Sequence, residues 1–291
     1  MKVGLVTQNV NFKSVNRIFG YVQKYSDAKL IDIKKLRIGA IPNKWDVFYP
    51  KFRLSDLDAV LFRDCSSKPP TLDFRLMLSE HLEKMGIRVF NGSKATRICK
   101  NKFSAIQFLQ ERGIPTPATR LALTPGAAVK SIKSMKKPVI IKLLSGSLGK
   151  GVIKINSNAE ADAIMDTLNT LGQMIYFQEY IETNGEDIRA FVIGDKVVAA
   201  MKRVAANGDF RSNIYQGAKG FKIELDGRLE KLALKAAHIV GADIAGVDII
   251  LGDEPKVIEV NINPGLRIAR ITKTNIPDMI ARYVCGVDKK E

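Results

Sequence analysis

Residues 245–261 read AGVDIILGDEPKVIEVN, and this stretch decides the fold of the second half of the chain. Two apolar runs flank the segment 252–255, which is made of the residue types that form tight turns. The pattern predicts a β-hairpin in which Leu251 pairs with Lys256 next to the turn. This half of the chain is therefore expected to contain an antiparallel sheet.

Two carboxylates face each other across the predicted hairpin. In this register Asp248 lies directly opposite Glu259, with the two Cβ atoms about 5 Å apart, and Asn261 follows on the same face. Carboxylates this close repel each other unless positive charge lies between them. Two carboxylates and an amide oxygen are hard ligands of the kind that Mg²⁺ prefers. The hairpin therefore predicts a magnesium site, with a solvated hairpin face as the alternative. On this interpretation, replacing Asp248 or Glu259 by alanine relieves crowding and leaves the fold intact.

A glycine-rich loop joins two apolar strands earlier in the chain. A strand containing Lys142 precedes the loop 145–151, SGSLGKG, and the strand 152–155 follows it. Glycines such as Gly149 and Gly151 allow backbone N–H groups to approach an anion closely. Because a strand follows the loop, it is neither a P-loop nor a dinucleotide fingerprint, both of which open a helix. The pattern predicts a flap over phosphates, with an ordinary glycine-rich hairpin turn as the alternative.

Two further segments place charged side chains between apolar ones. Asp187 and Arg189 alternate with apolar residues on a predicted strand, and Arg211 lies in the segment 208–213, GDFRSN. A guanidinium in such a position can clamp a transferring phosphoryl group. Taken singly, each of these residues is more often an ordinary surface residue.

The alternation of strands and helices defines the fold class. Over the first 95 residues it is the pattern of an open α/β sheet, and the last two thirds combine helices with antiparallel hairpins. Helices are predicted at 15–25, 72–84, 100–112, 127–135, 159–171 and 228–240. The fold class is thus α/β and α+β. The predicted boundaries are 1–95 for an N-terminal α/β domain, 96–180 for a central subdomain with the glycine flap, and 181–291 for a C-terminal subdomain with the carboxylate hairpin.

Charge restricts the choice of partners. The net charge is +16, and residues 1–100 hold 19 Lys+Arg against 9 Asp+Glu, which is a net +10. This surplus favours anionic ligands, but no basic arm, RNP motif, zinc finger or helix-turn-helix points to nucleic acid. No apolar stretch approaches the roughly 18 residues of a membrane span, and three scattered cysteines indicate reduced thiols. We expect a cytoplasmic protein with neither a membrane nor a nucleic acid as its partner.

Taken in order, these motifs resemble the ATP-grasp superfamily and, within it, the RimK-type glutamate ligases. The resemblance rests on Lys142 before the flap and on the runs QEYI at 178–181, DIR at 187–189, GDFRSN at 208–213, AGVD at 245–248, EVN at 259–261 and PG at 264–265. It is clearest over residues 100–283 and weak over the first 90. It implies an ATP-grasp fold behind an N-terminal open α/β domain.

The resemblance also implies roles for individual residues. The implied ATP-binding residues are Lys102, Lys142, Gly149, Gly151, Glu179, Tyr180, Asp187, Arg211, Ser212 and Asn213. The implied metal ligands, for two Mg²⁺ or Mn²⁺ ions, are Asp248, Glu259 and Asn261. The implied substrate-binding residues are Arg189, Asn263, Gly265 and Arg267. Arg211 is the implied catalytic residue, since it would stabilise charge on the transferring phosphoryl group.

The reaction implied by the family joins a carboxylate to an amine through an acyl phosphate, at the expense of ATP. We expect L-glutamate to be added to a terminal carboxylate of an acidic acceptor, such as a ribosomal-protein tail or the glutamyl tail of a deazaflavin or methanopterin cofactor. The basic surplus predicts at least two negative charges on the acceptor beyond the reacting carboxylate. The alternatives are a LysX-like ligase that joins 2-aminoadipate or glutamate to a carrier protein, and a non-catalytic nucleotide- or RNA-binding module. We also expect a homo-oligomer.

Overall fold

A computed structural model of the chain describes residues 1–42, 44–65, 69–99, 101–143, 151–169, 174–206 and 217–289. Over these residues the chain forms four β-sheets and nine α-helices, numbered below in chain order. The expected combination of α/β and α+β architecture is confirmed. Within the same described ranges, no helix is both long enough and apolar enough to cross a membrane.

The first sheet is parallel and has helices packed against it. Its strands are β1 (Lys2–Thr7), β2 (Asp27–Asp32), β6 (Ala59–Phe62) and β7 (Arg88–Phe90), in the order β2-β1-β6-β7, with helices α1 (Lys13–Tyr25) and α2 (Thr71–Lys84). The strand order reverses between β1 and β6. In open sheets of this type, ligands bind outside the carboxyl ends of the strands at such a reversal.

In chain order, a small antiparallel sheet follows β2, and two helices follow β7. The strands, which the sequence pattern did not predict, are β3 (Arg37–Ile41), β4 (Lys44–Tyr49) and β5 (Phe52–Arg53). The helices are α3 (Ser93–Cys99) and α4 (Lys102–Gln110). The side chain of Asn101 accepts hydrogen bonds from the N–H groups of Phe103 and Ser104, so α4 starts at Lys102 with a side-chain cap.

The central sheet is antiparallel and carries the glycine flap. Its strands are β8 (Thr119–Ala122), β9 (Val139–Leu143), β10 (Val152–Ile155) and β11 (Ile175–Glu179), in the order β10-β9-β11-β8. Helices α5 (Pro125–Lys133) and α6 (Asn158–Asn169) supply apolar side chains to its core. Most of the loop between β9 and β10 lies outside the described residues, and Gly151 is its described end.

The largest sheet carries the predicted hairpin. Its strands are β12 (Glu186–Ile193), β13 (Lys196–Val204), β14 (Lys219–Ile223), β15 (Ile244–Leu251) and β16 (Pro255–Asn261), in the order β14-β13-β12-β15-β16. Helix α7 (Gly227–Ile239) packs on one face through small apolar side chains. Helices α8 (Arg267–Thr272) and α9 (Ile276–Val284) share a core cluster with α1 and β1. This shared core joins the N-terminal sheet to the C-terminal helices, and the three-part domain division stays a prediction.

A β-bulge corrects the register of the hairpin. The predicted pairing of Leu251 with Lys256 is wrong, because Leu251 pairs with Pro255. A shift between Asp248 and Ile249 then restores the expected pairing of Asp248 with Glu259. Bulges of this kind change the direction in which side chains point and are frequent beside active sites.

Candidate active site

A row of charged side chains runs across one face of the largest sheet. Arg189 on β12 is the register neighbour of Asp248 on β15, and Asp248 is the neighbour of Glu259 on β16. Asn261 pairs with Gly246 one step further along the same face. The sheet therefore brings together one predicted substrate residue and all three predicted metal ligands.

Asp248 is buried between two arginines. Its carboxylate accepts hydrogen bonds from Nε and Nη2 of Arg189, and its Oδ2 is 3.0 Å from Nη2 of Arg203. Only 4% of the residue is exposed. Burial alone raises the pKa of a carboxyl group, but the charges of Arg189 and Arg203 outweigh it and lower the pKa of Asp248 to about 2. Asp248 is therefore ionised at neutral pH.

Arg203 is a site residue that the sequence analysis missed. It donates from Nε and Nη2 to the two oxygens of Asp187, at 2.6 Å each, and both side chains are almost completely buried. Asp187 thus holds the guanidinium that reaches Asp248, and its implied contact with the ribose stays a prediction. Arg203 faces Asp187 only because a bulge near Phe191 shifts the pairing of β12 with β13.

Glu259 is paired with Lys102 at the start of α4. The Nζ of Lys102 lies 2.6 Å from Oε1 of Glu259, and both side chains are about one third exposed. Burial raises the pKa of Glu259, but the charge of Lys102 outweighs it and the net shift is downward. One implied ATP lysine is therefore in direct contact with one implied metal ligand.

The oxygen atoms of the hairpin fit a magnesium ion. Oδ1 of Asp248 accepts a hydrogen bond from Nε of Arg189, and Oδ1 of Asn261 accepts one from the N–H of Asn263 at 2.9 Å. Each of these two oxygen atoms keeps a second lone pair that could bind a metal. No group of three or more His, Cys, Asp or Glu side chains that could hold a metal occurs in the described ranges. The available ligands are thus two carboxylates and an amide oxygen, and a bound Mg²⁺ would take phosphate oxygens and water as its remaining ligands.

The expectation that alanine at Asp248 relieves crowding is wrong in its physical reason. The two carboxylates are neutralised by Lys102, Arg189 and Arg203, so they do not form an uncompensated pair. Removing Asp248 leaves buried positive charge behind, and that is costly.

Lys142 lies in a partly buried polar network near the charged row. Its Nζ donates to Oε1 of Gln178 at 2.9 Å. Gln178 in turn donates from Nε2 to the hydroxyl groups of Thr119, at 2.8 Å, and Tyr176, at 3.2 Å. Burial, together with the nearby charge of Lys102, lowers the pKa of Lys142 to about 8. An anionic ligand beside Lys142 would restore its full charge.

The predicted adenine hinge, Glu179 and Tyr180, lies at the end of β11. The N–H of Glu179 donates to the carbonyl of Ala118 at 2.9 Å, and the N–H of Tyr180 donates to the carbonyl of Pro138 at 3.3 Å. The carboxylate of Glu179 also lies 3.0 Å from Nζ of Lys256. Both N–H groups are therefore engaged within the chain, and the hinge role of these residues stays a prediction.

The loop after the hairpin contacts the N-terminal sheet. Arg63, directly after β6, donates from Nη2 to the carbonyl of Pro264 at 2.8 Å. The side chain of Asn263 accepts a hydrogen bond from the N–H of Asp64 at 3.4 Å. Gly265 and Arg267 are exposed on the same loop and at the start of α8. Arg63 was missed because nothing local in the sequence relates it to a loop some 200 positions away.

Gly246 makes room for this arrangement. A Cβ atom there would lie 3.0 Å from Cβ of Pro264 and 3.2 Å from Cδ of Arg189. A glycine in the middle of a strand is unfavourable on its own and often marks a close approach. Here it allows Arg189 and the loop to lie against β15.

Four of the predicted site residues cannot be placed. Gly149, Arg211, Ser212 and Asn213 lie outside the described residues. Gly151, the described end of the flap, has a φ of +74°, a region that favours glycine.

Comparison with known proteins identifies the family. Residues 99–284 match the RimK-like ATP-grasp domain. The chain is 34% identical over 290 residues to a probable alpha-L-glutamate ligase of Vibrio cholerae, covering 98% of this chain and 95% of that protein. It is 40% identical over 208 residues to a protein of the same name from Legionella pneumophila, covering 70% and 69%.

Solved structures agree on the fold. The ATP-grasp ligase PsnB, in complex with a phosphomimetic variant of its minimal precursor, Mg and ADP, superposes with a TM-score of 0.75 at 19% identity, covering 97% of each chain. D-alanine–D-alanine ligase from Bacillus anthracis superposes with a TM-score of 0.69 at 17% identity, covering 100% of this chain and 99% of the other. The chain therefore belongs to the RimK-like ATP-grasp family, and it is an ATP-grasp ligase.

Proposed function

We propose that this ligase uses ATP and Mg²⁺ to join L-glutamate to a terminal carboxylate of an acidic acceptor. The observation that carries the proposal is the pairing of Asp248 with Glu259 beside Lys102 and Arg189 on one sheet face. Two carboxylates that can bind a metal then lie next to cations that can bind phosphate. This combination is what phosphoryl transfer requires, because its catalysis is mainly positioning and charge neutralisation.

Each group in the row has a definite task in the proposed reaction. Asp248, Glu259 and Asn261 would hold Mg²⁺, which neutralises charge on the ATP phosphates when it is bound. Lys102 and Lys142 would bind the phosphates directly, and Lys102 would leave Glu259 in order to do so. Arg189 would keep its bond to Asp248 and present the rest of its guanidinium to the reacting carboxylate. Arg211, which lies outside the described residues, is proposed to stabilise the transferring phosphoryl group.

L-glutamate is proposed because both relatives are named probable alpha-L-glutamate ligases. The acidic character of the acceptor is proposed from charge, because the first 100 residues carry a net +10. The N-terminal sheet formed by these residues contacts the loop after the hairpin through Arg63. The acceptors that fit are a protein or peptide tail ending in glutamate and a glutamyl-tailed cofactor. Because the chain belongs to a ligase family, we reject the alternative of a non-catalytic nucleotide- or RNA-binding module. The cytoplasmic location, the homo-oligomer, the use of Mn²⁺ and the presence of two ions stay predictions.

The test is ADP release from ATP that depends on both an amino acid and an acceptor. We would screen the common amino acids against glutamyl-glutamate, a short peptide ending in glutamate and a carrier-protein tail, with mass detection of the product. The expected result is a product heavier by one glutamyl residue, formed by the wild type and not by Glu259→Gln. ADP release that does not depend on any amino acid would contradict the proposal.

A further inference from the structure

Two buried arginines lie where the N-terminal sheet reverses its strand order. Arg63 directly follows β6, and Arg75 lies on α2, the helix that leads away from that end of the sheet. Arg63 is 2% exposed and Arg75 is 3% exposed. The carboxyl end of β6 at this reversal is the position at which open α/β sheets bind ligands.

Neither arginine forms a salt bridge with a carboxylate in the part of the chain that the structure describes. Nε of Arg63 and both Nε and Nη2 of Arg75 are buried without a hydrogen-bond partner. The guanidinium of Arg75 lies over the ring of Phe62, 5.2 Å from its centroid. Asp64 is next in sequence to Arg63, but its Oδ2 accepts a hydrogen bond from Ser14 at 2.8 Å.

An unpaired buried guanidinium is expensive. Buried polar groups are nearly always hydrogen-bonded, and removing an ion from water costs several kcal/mol unless another charge compensates it. Burial lowers the pKa of both side chains; for Arg63 the charge of the neighbouring Asp64 offsets part of this effect, and the charge of Arg75 adds to it. A negatively charged group beside the pair would relieve each of these costs.

The position of the pair indicates which anion it would bind. Arg63 contacts the carbonyl of Pro264, so the pair adjoins the loop that follows the metal hairpin. The ATP phosphates already have cations in Lys102 and Lys142, which lie with Glu259 and Gln178. The planar fork of a guanidinium matches a carboxylate, which both substrates of the proposed reaction carry.

We propose that Arg63 and Arg75 form a buried recognition site for a substrate carboxylate, belonging to the acceptor or to the incoming amino acid. This inference rests on the proposed function, because that function supplies the two carboxylate substrates. Arg75 is the better residue to vary, since Arg63 also holds the loop through Pro264.

The first measurement is the thermal unfolding of ligand-free Arg75→Met. Because the orphaned charge destabilises the free protein, its unfolding midpoint should equal or exceed that of the wild type. The same variant should raise the KM of one carboxylate substrate by about 10- to 100-fold, which corresponds to one lost charge-assisted hydrogen bond. The KM for ATP should not change. Arg75→Lys, which keeps the charge, should restore part of the affinity, and Arg17→Met, on the exposed side of α1, should match the wild type throughout.

The outcomes distinguish the two substrates that could supply the carboxylate, and they distinguish failure of this inference from failure of the proposed function. A raised KM for glutamyl-glutamate or for the peptide assigns the site to the acceptor, and a raised KM for L-glutamate assigns it to the amino acid. A lowered unfolding midpoint with both KM values unchanged overturns the inference, because Arg75 is then only structural. If the wild type shows no ligase turnover, the proposed function fails, and thermal shifts with L-glutamate and glutamyl-glutamate decide the inference alone. A shift that Arg75→Met abolishes supports it, and no shift in the wild type overturns it.

Discussion

Replacing Asp248 by asparagine separates the structural role of this carboxylate from its proposed role at the metal. The change removes one negative charge from a group that is 4% exposed and accepts hydrogen bonds from Arg189 and Arg203. Removing one partner of a buried ion pair costs about 3–5 kcal/mol. At about 2–4 °C per kcal/mol for a chain of this size, the unfolding midpoint should fall by roughly 10 °C.

Glu259→Gln is the matched control. The Lys102–Glu259 pair is about one third exposed, so its loss should cost only about 0–1 kcal/mol and shift the midpoint by a few degrees at most. Both variants should lose turnover, because both remove a proposed metal ligand. Thermal unfolding without nucleotide and ADP release are therefore measured on the same preparations. An Asp248→Asn protein as stable as the wild type would refute the buried counter-charge, and normal turnover in either variant would refute the metal assignment.

The same carboxylate should dominate the acid limb of stability. The pKa of Asp248 is lowered to about 2, below the value near 3.9 expected in the unfolded chain. A group with a depressed pKa contributes stability above its unfolded pKa, and the contribution is lost as pH falls from about 4 towards 2. Asp248→Asn should flatten unfolding free energy against pH in that window, and an unchanged slope would contradict this account.

Three further predictions follow from the described contacts. Because the pKa of Lys142 is lowered to about 8, ATP binding at pH 8.5 should take up a proton, which calorimetry in buffers of different ionisation enthalpy would detect and Lys142→Met would abolish. Gly151 has a φ of +74°, so Gly151→Val should raise the KM for ATP while the protein stays folded, and an unchanged KM would exclude a phosphate-covering flap. The side chain of Asn91 donates hydrogen bonds to the carbonyls of Ile244 and Ile262, at 2.8 and 2.7 Å. Asn91→Leu should therefore lower the unfolding midpoint and kcat, and unaltered stability would show that these two hydrogen bonds are dispensable.

The hairpin shows which features of the site could be predicted from the sequence. Alternation and turn chemistry correctly placed Asp248 opposite Glu259, although the assumed pairing of Leu251 with Lys256 was one residue out. The error and the bulge cancelled, because the extra residue in β16 restored the register beyond it. Bulges leave no clear local signature in a run of apolar residues, so the sequence could predict the pairing of the two carboxylates but not the bulge that produces it.

The cations of the site were harder to predict. Arg203 faces Asp187 only because of the second bulge, and without it Lys202 would occupy that position. Arg63 meets Pro264 through the packing of the first sheet against the hairpin loop, which no periodicity in either segment encodes. The chemistry of the carboxylates could therefore be inferred locally, whereas their charge compensation depends on tertiary structure.

The most direct test of the central claim follows one oxygen atom. If the acceptor carboxylate is activated as an acyl phosphate, an acceptor labelled with ¹⁸O in that carboxylate must transfer one labelled oxygen to the phosphate released in each turnover. Mass analysis of the phosphate formed by the wild type with ATP, Mg²⁺ and L-glutamate should show that single label. Unlabelled phosphate accompanying amide product would contradict carboxylate activation by ATP, and with it the proposed mechanism of this ligase.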